Sequence, residues 1–148
     1  MVGSGKSTLM ATDFTAVEAW TEDGILGKLR QGGIVLIADP GENAEGAKPS
    51  IREILNVAYT IDTVGVSPDG KWIAYMSMES GLPEVWVASF PEFADRRKIG
   101  EGTAPLWRAD GREIVYVDSS SSLAHVTVTP GPNPEFSAPE RLIEVSAF

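Results

Sequence analysis

The sequence predicts an all-β fold of about three four-stranded antiparallel units, arranged as the blades of a partial β-propeller. The first observation is a phrase that occurs three times, a large apolar residue followed by two variable residues and Asp-Gly, at residues 20–24, 66–70 and 107–111. Its aspartates stand at positions 23, 69 and 110, so the units are 46 and 41 residues apart. The second observation is that short, alternating apolar runs surround each phrase, which is typical of strands. A repeat of about 40–45 residues built from strands and turns predicts propeller blades; a β-sandwich without repeats is the alternative.

Each unit is predicted to contain four strands in chain order. An Asp-Gly step between apolar runs predicts a tight turn, because glycine accepts a positive φ and aspartate bonds to its own downstream backbone. The first strand precedes this turn and the second follows it, at residues 25–29, 71–75 and 112–116. The third strands are predicted at 34–37, 84–87 and 125–128, and the fourth at 51–57, 97–99 and 141–145. A constant offset of 41 residues places Val85 on Val126 and Val87 on Val128.

These units divide the chain into a short tail, residues 1–12, and a partial propeller domain, residues 13–148, with blades at about 13–59, 60–101 and 102–148. Residues 2–10, Val-Gly-Ser-Gly-Lys-Ser-Thr-Leu-Met, look like the second half of a nucleotide phosphate-binding loop. The strand and first glycine that position such a loop do not stand before them. A polar tail is therefore the favoured interpretation, and nucleotide binding is a third functional hypothesis beside the two given below.

Composition limits the partners and the compartment. The chain has 148 residues, of which 43% are hydrophobic and 22% charged, as expected for a globular domain with a core. Its 12 basic and 21 acidic residues give a formal net charge of −9, which argues against nucleic acid and membranes as partners, since both attract basic patches. With no cysteine, disulfides, thiolate catalysis and zinc–cysteine sites are excluded. No apolar leader is visible, so we expect a cytoplasmic protein, or a periplasmic one if the N-terminus is shortened.

Residues 66–75, Val-Ser-Pro-Asp-Gly-Lys-Trp-Ile-Ala-Tyr, are followed by Ser80-Gly81, Glu84-Val85-Trp86-Val87 and Phe90-Pro91. This run resembles the WD40-like (PD40) repeat of TolB-type β-propellers, and residues 104–116 resemble the next repeat. The pairing is similar to the propeller domains at the C-terminal end of some bacterial serine/threonine kinases. The resemblance covers residues 60–145 and is weak over residues 1–59.

The resemblance implies a closed ring of six or more blades, whereas this chain supplies about three. An arc of three blades leaves open edges and exposed apolar faces, which favour association. Two copies would complete a six-bladed ring. We therefore expect a homo-oligomer, most simply a homodimer.

Oxygen donors at strand ends suggest a calcium site, since calcium takes about six to eight oxygen ligands from carboxylates, carbonyls and water. The candidate ligands are Asp39, Glu42, Asp62 and Asp118, although they form no regular calcium-binding loop. The aspartates of the repeated phrase are better explained as turn formers than as ligands.

His125 is the only histidine of the chain and the candidate for acid–base catalysis near neutral pH. Serines 119–122 precede it, but no Gly-x-Ser-x-Gly elbow is present, so a hairpin turn and a structural histidine are the alternative. Large aromatic residues recur at blade positions and are candidates for partner binding, with packing between blades as the alternative. They are Trp72, Trp86, Trp107 and Tyr116.

The favoured function is a propeller-type interaction module that self-associates and binds a protein or peptide partner. The alternative is a small calcium-dependent hydrolase of esters or lactones, with its site in a channel between blades or subunits. The first rests on the repeats and on the lack of a recognisable catalytic motif, and the second on the acidic strand ends and His125.

Overall fold

The computed structural model describes residues 14–30, 32–38 and 50–143, which form twelve β-strands. Within these ranges there is no α-helix, and so no helix that could cross a membrane. The all-β prediction is confirmed.

The strands form three antiparallel blades. Blade 1 contains β1 (Phe14–Thr21), β2 (Gly24–Leu29), β3 (Ile34–Ala38) and β4 (Ser50–Leu55) in chain order. Blade 2 contains β5 (Ile61–Val66), β6 (Trp72–Ser77), β7 (Glu84–Ser89) and the first half of β8 (Arg97–Trp107). Blade 3 contains the second half of β8, β9 (Glu113–Asp118), β10 (Leu123–Thr129), and an outer edge in two pieces, β11 (Glu135–Phe136) and β12 (Glu140–Ile143).

Strand β8 belongs to two blades. Glu101 is the last of its residues that pairs with β7, and Gly102 is the first that pairs with β9. Blades 2 and 3 are therefore joined by one continuous strand of 11 residues. Between blades 1 and 2 the chain instead leaves β4 and begins a separate strand, β5.

The second and third Asp-Gly steps form the predicted turns. Gly70 and Gly111 have φ angles of 73° and 71°, a left-handed conformation that glycine adopts without a steric penalty. Asp69 Oδ1 accepts a hydrogen bond from the backbone N–H two residues later at 3.1 Å, and Asp110 Oδ1 accepts the equivalent bond at 3.0 Å. In these two turns the aspartates act as turn formers, as their position between apolar runs predicts.

Two hydrophobic cores lie between the blades rather than within any one of them. Ile73 and Tyr75 of blade 2 face the first core, which blade 1 shares through Leu26. Ala74, one residue away, faces the second core, which blade 3 shares through Ile114. Because both faces of blade 2 are covered, β6 is buried at nearly every position instead of at alternate ones.

The 41-residue offset does not extend to the third strands, and the alignment of Val85 with Val126 is wrong. Tyr75 pairs with Trp86 in blade 2, whereas Tyr116 pairs with Ala124 in blade 3. The offset is therefore 41 residues before the hairpin and 38 after it. Val85 belongs to the side of blade 2 that faces blade 3, and Val126 to the side of blade 3 that faces blade 2, so the two pack toward each other in one core.

The first strands of neighbouring blades contact each other directly. The backbone N–H of Val64 in β5 donates to Glu18 Oε2 in β1 at 3.4 Å. The indole Nε1 of Trp107 in β8 donates to the carbonyl oxygen of Gly65 in β5 at 3.2 Å. The three first strands therefore lie side by side, as they do where the blades of a propeller converge.

Two leucines provide a test of the core between blades 1 and 2. Leu26 is fully buried, whereas Leu82 in the loop before β7 is 64% exposed. We expect Leu26→Ala to lower the free energy of unfolding by about 2–5 kcal/mol, because it leaves a cavity between the blades. The same change at Leu82 should alter it by less than about 0.5 kcal/mol. Urea unfolding at one protein concentration measures both, and equal losses would contradict this assignment of the core.

Candidate interaction surfaces

The side of blade 1 that is turned away from blade 2 is an apolar surface, which we call the blade-1 face. Cross-strand pairing brings its members together: Trp20 with Ile25, Ile25 with Ile37, and Ile37 with Ile51. Trp20 is 81% exposed, and Ile51 is also exposed. A tryptophan so exposed within a sheet of aliphatic residues marks a surface that is suited to a partner.

The side of blade 3 that is turned away from blade 2 is the second open surface, the blade-3 face. Leu106 pairs with Val115 on this side, and Val117 pairs with Leu123. Leu106 is 70% exposed. Unlike the blade-1 face, this surface contains a polar group at its centre, because His125 pairs with Val115.

His125 lies against an acidic residue on the same face. Its Nδ1 is 2.7 Å from Glu113 Oε1, and its Nε2 is 3.9 Å from Glu140 Oε2. The buried Nδ1 nevertheless has no hydrogen bond of good geometry, so the contact with Glu113 is one of charge when the ring is protonated. Glu113 is also held by Arg108 Nη1 at 3.2 Å. The catalytic role predicted for His125 remains a prediction, and no nucleophile contacts the ring among the residues that the structure describes.

The interface between blades 2 and 3 shows how a blade face is covered when a neighbouring blade is present. Trp107 of blade 3 packs on β5 of blade 2, where its Nε1 reaches the carbonyl of Gly65. Hairpin pairing makes Trp20 the counterpart of Trp107, since each is paired with the isoleucine at the second position of the second strand. The same pairing makes Leu106 the counterpart of Gly65. On the two open faces, Trp20 and Leu106 therefore occupy the positions that Trp107 and Gly65 occupy where blades 2 and 3 meet.

A small ion cluster holds blades 1 and 2 together where their first strands meet. Lys28 Nζ donates to Asp62 Oδ1 at 2.5 Å and lies 3.9 Å from Glu18 Oε1. The hydrogen bond from Lys28, assisted by the backbone N–H of Thr63, lowers the pKa of the Asp62 carboxyl below its usual value. Asp62 is thus kept ionised by a lysine that occupies one of its oxygens.

The candidate calcium ligands do not form one cluster among the residues that the structure covers. Asp62 lies in β5 of blade 2, whereas Asp118 ends β9 of blade 3. Asp118 Oδ1 accepts hydrogen bonds from Ser120 and Ser122, which close the turn after β9 and lower the pKa of the carboxyl. Asp39 and Glu42 lie outside the described ranges. Within those ranges, no group of three or more histidine and acidic residues could hold a metal ion, and the calcium site remains a prediction.

The predicted partner-binding aromatic residues lie at contacts inside the chain. Trp72 meets Phe136 edge-on at 5.6 Å, and Trp86 is covered by the guanidinium of Arg96 at 4.7 Å. Trp107 packs on blade 2, and Tyr116 is only 3% exposed. Their role in partner binding remains a prediction. Neither Trp20 nor Leu106 is among the predicted partner-binding residues, although Trp20 opens the same repeated phrase as Trp107.

Comparison with known proteins supports the fold. No protein-family model and no curated protein matches the sequence. The chain belongs, by its architecture, to the class of β-propellers. Among solved structures it is similar to TolB from Acinetobacter baumannii, with a TM-score of 0.51 and 20% sequence identity. The match covers 64% of this chain and 24% of TolB, so the chain spans about a quarter of the length of that propeller. The predicted TolB-like fold is therefore supported, while the specific repeat family is an expectation of the sequence alone.

Asp62 should make the stability of the protein sensitive to acid. Because its pKa is lower in the folded chain than in the unfolded chain, the Lys28–Asp62 pair stabilises the fold above the unfolded pKa, and this contribution is lost as the pH falls through the folded pKa. Half of the Asp62 side chain is exposed, so we expect Asp62→Asn to cost at most about 1 kcal/mol at pH 6.

Urea unfolding of the wild type and of Asp62→Asn between pH 6 and pH 2 measures this effect. The difference between the two proteins should shrink toward zero at the acid end. Glu92→Gln, at an exposed carboxylate, is the matched control and should show little difference from the wild type at any pH. A difference at Asp62 that is the same at pH 2 and pH 6 would contradict the assignment.

Proposed function

We propose that this chain is a propeller-type interaction module that self-associates by packing the blade-1 face of one copy against the blade-3 face of another. The observation that carries the proposal is the pair of exposed residues, Trp20 and Leu106. Trp20 corresponds to Trp107 and Leu106 corresponds to Gly65. Trp107 and Gly65 contact each other where blades 2 and 3 meet, whereas Trp20 and Leu106 are exposed.

The chemistry of the two faces suits this contact. The blade-1 face is formed by apolar residues, and the blade-3 face offers an apolar surface around His125, whose Nδ1 lies 2.7 Å from Glu113 Oε1. Apolar burial supplies about 25 cal/mol per Å² of surface removed from water, and large aromatic residues dominate such interfaces. Repeating the contact in both directions would close two three-bladed arcs into one ring, with no blade face left open.

A protein or peptide partner is the second part of the proposal. A closed pair of arcs buries the two faces that self-association uses, so a further partner must bind elsewhere on the blades. The support for this part is the fold, whose loops and grooves between blades present extended surfaces.

Sedimentation velocity at micromolar concentration tests the association. We expect the wild type to sediment with twice the mass of the 15.8 kDa chain. Trp20→Arg and Leu106→Arg should each sediment as monomers, because each places a charge in both contacts of the ring. Leu82→Arg, at an exposed leucine outside both faces, is the control and should remain dimeric.

Mixing the two arginine variants tests which face meets which. Trp20→Arg retains a native blade-3 face, and Leu106→Arg retains a native blade-1 face, so an equimolar mixture should form an open heterodimer through one native contact. A dimer made of two blade-1 faces would instead survive Leu106→Arg. A wild type that is monomeric throughout the micromolar range overturns the proposal.

A further inference from the structure

A groove of about 580 Å³ lies between the outer part of blade 2 and blade 3. It opens on the side of blade 3 that is turned toward blade 2, where Tyr116 and Ala124 belong to the shared core. Its walls include Gly100 of β8, Tyr116 and Asp118 of β9, Ala124 of β10, and Pro139 with Arg141 near β12. Its volume is within the range of about 300–1,000 Å³ that is typical of sites for small ligands and side chains.

The equivalent place on blade 2 is filled by the chain itself. The Nε of Arg96 donates to the Tyr75 hydroxyl at 2.9 Å, and its Nη2 contacts Glu79 Oε2 at 2.7 Å. Its guanidinium also lies over the ring of Trp86, 4.7 Å from the centroid, in a cation–π contact. A tyrosine, an arginine and a tryptophan thus form one packed unit on this side of blade 2.

Strand register shows that the two places correspond. Both third strands have an irregularity at the same point, between Val85 and Trp86 in blade 2 and between Leu123 and Ala124 in blade 3. The pairs that follow it are Trp86 with Lys98 and Ala124 with Arg141. Tyr116 therefore corresponds to Tyr75, Ala124 to Trp86, and Pro139, two residues before Arg141, to Arg96.

Blade 3 keeps the tyrosine but lacks the two large residues that cover it in blade 2. The replacement of a tryptophan by Ala124 and of an arginine by Pro139 leaves the groove open above Tyr116. The position of Tyr116 is fixed, since a Cβ on Gly100 would overlap its hydroxyl. A side chain larger than hydrogen at position 100 would displace the ring.

The Tyr116 side chain lines this groove. The residue is 3% exposed, and among the described residues no cationic side chain donates to its hydroxyl as Arg96 donates to that of Tyr75. Burial raises the pKa of Tyr116, and the negative charges of Asp118 and Glu101 raise it further. A neutral hydroxyl at this point can accept a hydrogen bond from a cationic donor, as the Tyr75 hydroxyl does from Arg96.

The positive residues around the groove are engaged elsewhere. Arg141 Nε lies 3.4 Å from Asp118 Oδ2, and its Nη2 bonds to Ser120. Lys98 Nζ is 2.6 Å from Glu84 Oε1 and 3.4 Å from Glu101 Oε1. None of these four contacts involves the Tyr116 hydroxyl.

We propose that this groove binds the arginine side chain of a peptide partner, with the guanidinium donating to the Tyr116 hydroxyl and an aromatic or aliphatic neighbour covering Ala124. The bound arginine reproduces between molecules the contact that Arg96 makes with Tyr75 inside the chain. The inference deepens the proposed function and rests on its second part, the binding of a peptide, and not on self-association.

The test is calorimetric titration of the protein with a short capped peptide that contains adjacent tryptophan and arginine. Control peptides carry citrulline or lysine in place of arginine. Citrulline has nearly the same shape without the charge, and lysine has the charge without the planar fork. We expect saturable binding of the arginine peptide and at least about 10-fold weaker binding of both controls, corresponding to the loss of a charge-assisted hydrogen bond.

Variants of the protein locate the site. Tyr116→Phe removes the acceptor and should weaken binding by about 10-fold, whereas Tyr59→Phe, the same change outside the groove, should leave it unaltered. Pro139→Arg supplies an arginine from the chain itself at the position that corresponds to Arg96, and should also weaken binding. Because Pro139 is exposed, this variant is expected to fold normally, which its melting temperature checks.

The titrations are made on the wild type and on the Trp20→Arg variant, so that their outcome does not depend on association. Absence of saturable binding below about 1 mM, equal binding of the arginine and citrulline peptides, or unaltered binding by Tyr116→Phe would each overturn the inference. A dimer that binds no arginine peptide would overturn the groove assignment while leaving self-association in place.

Discussion

The structure depends on burial of both faces of blade 2. Its second and third strands place successive residues on opposite sides, so that Ile73 and Tyr75 contact blade 1 while Ala74 and Val87 contact blade 3. An isolated four-stranded sheet could cover neither side, because each core needs residues from two neighbouring blades. Stability in this architecture therefore comes from contacts between repeats, and every repeat that lacks a neighbour leaves an apolar side in water.

The same constraint explains why the end blades differ from the middle one. The blade-1 face exposes Trp20 and the blade-3 face exposes Leu106, at positions where blades 2 and 3 instead form the contact between Gly65 and Trp107. If these two faces were buried, each end blade would be covered on both sides, as blade 2 already is. The proposed self-association would therefore use, between copies, the same kind of contact that blades 2 and 3 make within the chain.

Much of the fold could be predicted from the sequence, because the Asp-Gly turns are local. A turn needs glycine at a positive φ and an aspartate that bonds two residues downstream, and both requirements are visible in the order of residues. The third strands could not be aligned in the same way. The hairpin after Asp118 is three residues shorter than the hairpin after Ser77, so the offset changes from 41 to 38 within one blade. Which side of an end blade is open depends on how the blades are ordered in space, which the local pattern of residues does not show, and for that reason Trp20 and Leu106 were not predicted to be surface residues.

Differences between repeats are more informative about function than the repeats themselves. Tyr75 and Tyr116 occupy the same position, and each is buried, but only Tyr75 has an arginine on its hydroxyl. Trp86 and Arg96 cover Tyr75 in blade 2, whereas Ala124 and Pro139 leave the hydroxyl of Tyr116 beside a groove. A tyrosine hydroxyl beside a groove of suitable size is where a binding site can arise within a structural repeat. The filled site in blade 2 shows which chemical group fits the open site in blade 3.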